Sequence, residues 1–170
     1  MKAILKKAAL AAALVTASLS ANAAESHITV YTNVDLTLAL LKTDGSALPD
    51  EIPMVYVPGR GLTPHSERVR IFSNDTDSDV EIRLINAPTL QHTERTGPGT
   101  SVPLTVSLNA RPLTVASQDF TAAELYNGAP QGRSIEMDLS FAQTTQAELT
   151  VAGRYDGIVS IALNQKPGTP

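Results

Sequence analysis

The sequence predicts an all-β sandwich, on three observations. Apolar residues recur at every second position in one segment after another, the spacing that sets one face of an extended strand in a core and the other in water. Turn chemistry separates these segments, as at Thr43-Asp44-Gly45-Ser46, Asn74-Asp75-Thr76-Asp77 and the Gly/Pro loop from Tyr126 to Gly132. Helical periodicity is nearly missing. Beyond the N-terminal leader the only hint is Thr121 placed three residues before Glu124, a small capping-box signature that predicts a single helical turn.

The leader is set apart first. Lys2, Lys6 and Lys7 form a basic start, Ala8 to Ser20 is mildly apolar, and Ala21-Asn22-Ala23 has the small-x-small form of a signal-peptidase site, so residues 1–23 are expected to be a signal peptide and the mature chain to start at Ala24. The apolar run falls short of the roughly 20 residues that span a bilayer. Removal of 23 residues from 170 leaves 147, enough for one domain with a real core. The leader holds three of the 13 basic residues and none of the 17 acidic ones, which brings the mature chain to a net charge of −7. Such a charge argues against nucleic acid and anionic membranes as partners. There is no cysteine, so disulfides, thiolate metal sites and cysteine nucleophiles are excluded. Tryptophan is absent too, which argues against a platform of stacked rings for carbohydrate.

The first strand segment is Ile28 to Leu41. Its even positions Ile28, Val30, Val34, Leu36, Leu38 and Leu40 are apolar with only Thr32 between them, while Thr29, Tyr31, Asn33, Asp35 and Thr37 fill the other face. This alternation runs about twice the length of an ordinary strand. Two tasks joined end to end are one reading, with one half pairing away from the body and one half inside it; a single long first strand fits the pattern as well. Ile52, Met54 and Tyr56 then predict a short strand closed by the flexible loop Pro58-Gly59-Arg60-Gly61. In Arg68 to Phe72, Val69 and Ile71 share a face opposite Arg68, Arg70 and Phe72. Val80, Ile82 and Leu84 face away from Asp79, Glu81 and Arg83, as in an antiparallel sheet with one wet side.

Asn86 to Ser101 reads as a long loop with a short edge segment near Thr89. Val102, Leu104, Val106 and Leu108 alternate next, and Pro103 belongs at a strand start or edge because it cannot donate to a ladder. Leu113 and Val115 continue a hairpin across Asn109-Ala110. Ile135, Met137, Leu139 and Phe141 alternate against Ser134, Glu136, Asp138 and Ser140; Leu149 and Val151 resume after a polar turn. The last strand is expected at Ile158 to Leu163, entered through Gly153-Arg154-Tyr155-Asp156-Gly157, with Asn164 to Pro170 as a loose end. About eight strands with regular turns describe an immunoglobulin-like sandwich.

Motifs for chemistry are sparse. His27, His65 and His92 fall on separate elements without metal-ligand spacing and read as surface histidines in loops or at a strand edge. Asp75, Asp77 and Asp79 resemble the start of a calcium loop, but Val80 and Asn86 occupy the positions of its Gly and Glu, so a solvated turn is expected. Pro58 to Gly61 is too short for a phosphate loop and no helix follows it. No G-x-S-x-G elbow is present. No catalytic residue, metal site or cofactor is expected.

An ordered set of residues resembles one family along nearly the whole mature chain. It comprises Ile28-Thr29-Val30, Val34-Asp35, Leu40-Leu41, Asp44-Gly45, Ala47-Leu48-Pro49, Tyr56 with Pro58, Asn74-Asp75, Pro88-x-Leu90, Pro103 with Val106-Ser107, Phe120, and Gly153-x-Tyr155-x-Gly157-x-Val159-Ser160. These stand as they do in the major pilins of class 5 fimbriae, the colonisation-factor and cable-pilus subunits of the alternate chaperone–usher pathway. Leu36 departs from that pattern, since family members often carry a proline after the Val-Asp pair.

The resemblance implies an immunoglobulin-like sandwich that lacks its last strand and is completed by donor-strand exchange. Residues 24–35 would then be the donor strand, with Ile28, Val30, Thr32 and Val34 facing the groove, and 36–170 the pilin body. Val159, Ile161 and Leu163 are the expected acceptor-groove residues, with Ile158 and Ala162 on the opposite face as the alternative. Implied partners are identical pilins in a head-to-tail polymer, a periplasmic chaperone, an outer-membrane usher and a tip adhesin, on a route through the periplasm to a fimbria at the cell surface. Two other readings stay open: a fimbrial protein that itself binds a host receptor, and an exported β-sandwich with a ligand role.

Overall fold

The computed structural model describes residues 38–166. The expected leader and the donor positions Ile28, Val30, Thr32 and Val34 lie outside the described residues. The strands in chain order are β1 (Leu38–Lys42), β2 (Tyr56–Val57), β3 (Gly61–Leu62), β4 (His65–Ser73), β5 (Val80–Leu84), β6 (Thr89–His92), β7 (Ser101–Leu108), β8 (Arg111–Pro112), β9 (Gln118–Phe120), β10 (Met137–Gln143), β11 (Tyr155–Asp156) and β12 (Ile161–Gln165). One helical turn, α1 (Ala122–Tyr126), lies between β9 and β10.

Among the described residues the strands form two main sheets, all of whose pairings are antiparallel. The larger runs β1-β4-β10-β7-β6-β11, with β8 also on β7; the smaller runs β12-β5-β9. The alternation seen in the sequence explains how they close on one core. Val69 and Ile71 of β4, Met137 and Leu139 of β10, and Val106 and Leu108 of β7 turn inward from the large sheet, and Val80, Ile82, Leu84 and Phe120 meet them from the small one. Each such side chain, fully buried, contributes roughly 1.5–3 kcal/mol. A second, smaller cluster of Leu62, Val102 and Leu104 seals the end under the β2–β3 hairpin.

The predicted helical turn forms where its cap signature stands. Thr121 Oγ1 accepts from the Glu124 N–H at 3.2 Å, Asp79 Oδ1 accepts from the Ala122 N–H at 2.7 Å, and Leu125 anchors the turn in the core. The β7–β8 hairpin turns on Asn109 and Ala110, both at positive φ (50° and 64°), the backbone that a two-residue loop requires. Pro103 stands at the end of the β7–β10 ladder, where its carbonyl still accepts from the Thr144 N–H at 2.9 Å and only the return bond of that last pair is missing.

Four expectations are corrected. Ile52 to Val55 is irregular, and only Tyr56–Val57 pairs, in a tight hairpin with Gly61–Leu62. Leu149 and Val151 alternate but belong to no strand, for the 147–153 segment wraps across the sheet end rather than joining a ladder. The last strand starts at Ile161 and runs on to Gln165, so Asn164 and Gln165 are ladder residues paired with Glu81 and Val80 rather than a loose end. His92 is buried, with Nδ1 accepting the N–H groups of Glu94 and Arg95 at 3.0 Å each and Nε2 donating to Ala152 O at 3.1 Å. The sequence signal for the buried histidine is Gly153. At φ 148° its backbone lies so close that a Cβ there would strike the His92 ring.

Candidate acceptor groove

The two sheets end on the same side of the sandwich. β1 is the terminal strand of the large sheet and β12 the terminal strand of the small one; each pairs on one side only among the described residues, and the two approach each other across the open side. Their direction follows from the register. Leu38 at the start of β1 stands opposite Ser73, and Gln165 at the end of β12 donates to Ser73 Oγ at 3.3 Å, so the start of one strand and the end of the other share a corner. β1 and β12 therefore run in opposite directions.

This open side is apolar. Leu38 and Leu40 of β1 pack on the core from one wall, and Val159, Ile161 and Leu163 pack on it from the other, all half-buried. Period two accounts for the selection on β12. Leu163 and Ile161 stand opposite the buried Ile82 and Leu84, while Ala162 and Asn164 stand opposite Arg83 and Glu81. Val159 precedes the strand proper, and its neighbour Ile158 points away, 78% exposed. Leu38 and Leu40 come from the inner half of the long N-terminal alternation.

The corner shared by Leu38 and Gln165 is polar. Gln165 Nε2 donates to Asp75 O at 2.6 Å as well as to Ser73, while its buried Oε1 has no hydrogen-bond partner among the described residues. Ser73 Oγ donates to Asp75 O at 2.7 Å, and Asp75 Oδ2 accepts from Ser78 Oγ at 2.9 Å. Asp75 and Asp79 are thus occupied with local backbone and hydroxyl groups, Asp79 at the helix start. Tyr126 is held against the same corner, where burial pushes its phenol pKa above the usual range. Gln165 follows the last apolar alternation, and a strand that ends on a polar anchor looks like a tail in the sequence.

His65 and Glu67, two residues apart and so on one face of β4, pair at 2.8 Å at the opposite end of that strand. They take no part in the groove. Among the described residues no group of His, Cys, Asp or Glu is placed to hold a metal ion.

Residues 24–164 match the family model described as CS1 type fimbrial major subunit. The chain belongs to the CS1-type fimbrial major subunit family. Its relatives include a CS1 fimbrial subunit of Escherichia coli, 32% identical over 164 residues that cover 92% of this chain and 94% of that one. A CFA/I fimbrial subunit of Escherichia coli O78:H11 is 33% identical over 154 residues, covering 86% and 88%. The solved CooA pilin from enterotoxigenic Escherichia coli is similar with a TM-score of 0.65 at 25% identity, over 79% of this chain and 90% of that one. A chaperone–tip adhesin complex of CFA/I fimbriae biogenesis shares the fold, with a TM-score of 0.55 at 15% identity over 76% of this chain and 42% of that one. This CS1-type protein is accordingly a structural building block of a fimbria, the kind of protein its relatives are, and its work is done in the shaft at the cell surface.

Proposed function

We propose that this fimbrial protein polymerises by strand exchange: residues 24–35 of one copy enter the groove between β1 and β12 of the next, with Ile28, Val30, Thr32 and Val34 turned toward Val159, Ile161 and Leu163. One observation carries the reading. Two terminal strands with unpaired outer edges among the described residues flank a strip of half-buried apolar side chains that is continuous with the core. An edge of this kind is a template for an added strand, whose backbone completes the ladder and whose alternate side chains fill the strip.

The proposal assigns residues 1–23 to export, 24–35 to donation and 36–170 to the body, and no catalytic role. Donation from copy to copy is a heterologous contact that does not close, which yields a fibre. Before assembly the open strip is costly and adhesive. A periplasmic chaperone lending a strand is the partner that such an open strip calls for, and an outer-membrane usher and a tip adhesin are the further partners that the likeness to this family implies.

Val30→Asp tests it. A carboxylate carried into a dry groove has no partner, and the cost of burying it far exceeds what an apolar contact returns. The expected result is a folded protein that forms no fibres on the cell surface, seen by electron microscopy. Fibres of normal length from that variant would refute the donor assignment.

A further inference from the structure

We propose that His92 is an acid-sensitive latch: on taking up a proton it releases the loop after β6 and the segment around β11 from the far edge of the large sheet, while the core and the groove keep their shape. The tautomer of the ring is fixed by its neighbours. The N–H groups of Glu94 and Arg95 can only donate, and both reach Nδ1 at 3.0 Å, so Nδ1 holds a lone pair. Ala152 O can only accept, and it lies 3.1 Å from Nε2, so Nε2 holds the proton. The ring is 7% exposed and neutral by construction.

This one side chain joins two segments that are otherwise far apart in the chain. Around it, the Thr93 N–H donates to Arg154 O at 2.9 Å, the Tyr155 hydroxyl donates to Val151 O at 2.8 Å and stands 3.1 Å from Gly99 O, and the Tyr155 ring packs on the imidazole at 5.1 Å between centroids. Gly153 lies so close to the ring that only a residue without a Cβ fits. A proton on Nδ1 turns its two donor contacts into clashes of like polarity and leaves a buried cation. No nearby charge offsets it. Glu94 and Arg95 on the loop are exposed, Arg154 and Asp156 beside β11 pair with each other at 2.8 Å, Glu148 accepts from the Tyr56 hydroxyl at 3.4 Å, and β7, on the other side of β6, carries no charged residue. Among the described residues His92 forms no ion pair. The opened form, with imidazole in water, binds a proton near about pH 6.5, and the closed form excludes it. Closure is therefore complete above that pH and weakens as the pH falls below it. β11 and β1 are the two ends of the large sheet, so the opening is remote from the groove. His65 behaves oppositely, since its bond to Glu67 at 2.8 Å becomes an ion pair when the ring is protonated.

Hydrogen exchange read by mass spectrometry on fibres of the full chain, at pH 7.5 and pH 5 and corrected for intrinsic exchange, tests the latch. Protection of peptides covering 93–100 and 147–156 should fall by up to about 30-fold at pH 5, with β4 and β10 unchanged and the fibres intact. Fibres of His65→Gln should keep that response, and fibres of His92→Gln should show the same exchange at both pH values in these peptides. Native fibres whose two segments exchange alike at both pH values, or a response that survives in His92→Gln or vanishes in His65→Gln, would overturn the assignment.

Discussion

Leu163→Ala is the perturbation that separates a groove from an ordinary core. In the open body Leu163 is half-buried beside an unpaired edge, so losing its branched end forfeits only part of the usual contact. With a donor strand in place the site is enclosed, and a Leu→Ala change at an enclosed site costs about 2–5 kcal/mol. The substitution should therefore cost roughly 1–3 kcal/mol more in the complemented body than in the open one. For a domain of this size each kcal/mol moves the unfolding midpoint about 2–4 °C. The assay is thermal unfolding, followed by circular dichroism, of the body from Leu36 to Pro170 and of the same body with Ala24 to Asp35 fused behind Pro170 through a flexible linker. The fusion should raise the midpoint, and Leu163→Ala should lower it by about 2–12 °C more in the fused chain than in the open one. The same change at Ile158, which is 78% exposed, should move both by less than about 0.5 kcal/mol. Equal losses at Leu163 in the two chains, or a fusion that leaves the midpoint unchanged, would refute the groove.

Further outcomes follow from the body itself. Ser134, with no exposure, stands where the β10–β4 ladder has stopped; its Oγ accepts from the Ile71 N–H at 2.9 Å and donates to Ile135 O at 2.8 Å, so Ser134→Ala strands a buried donor and should cost about 1–3 kcal/mol in thermal unfolding. Gly153→Ala places a methyl into the His92 ring from a positive-φ backbone and should cost a further ~1–3 kcal/mol by the same assay, with fibres still forming because the groove lies elsewhere. Tyr126 is held neutral by burial, so its folded pKa exceeds the unfolded value near about 10. The stability this contributes is whole below that pH and is lost as pH rises through the folded value. Unfolding midpoints measured between about pH 8 and pH 11 should accordingly fall more steeply for the native chain than for Tyr126→Phe.

Much of the fold was legible because each strand of the core carries its own period. Val69 and Ile71, Val80 to Leu84, Val102 to Leu108, and Met137 to Phe141 alternate in the sequence and do so in the structure, since one buried face is a local demand on every second residue. The helical turn was legible at Thr121 and Glu124 because a cap is satisfied within four residues. Leu149 and Val151 misled for the same reason. Two apolar residues at strand spacing can pack against a sheet end without a ladder partner. His92 and Gln165 were misplaced because their partners, Ala152 and Ser73, lie 60 and 92 residues away.

The sequence by itself determined the strand pattern, the small helix, the lack of disulfides and the family, since these follow from residues that are adjacent or periodic along the chain. The glycines at 153 and 157 could be recognised as a signature there, but the reason for them belongs to the folded state, where a Cβ at either would strike the His92 ring or Thr89 O of β6. Only the tertiary structure decided that the first described strand and the last one end separate sheets on the same side. That arrangement depends on which edges remain unpaired after all other ladders have formed, a property of long-range pairing that no local period encodes.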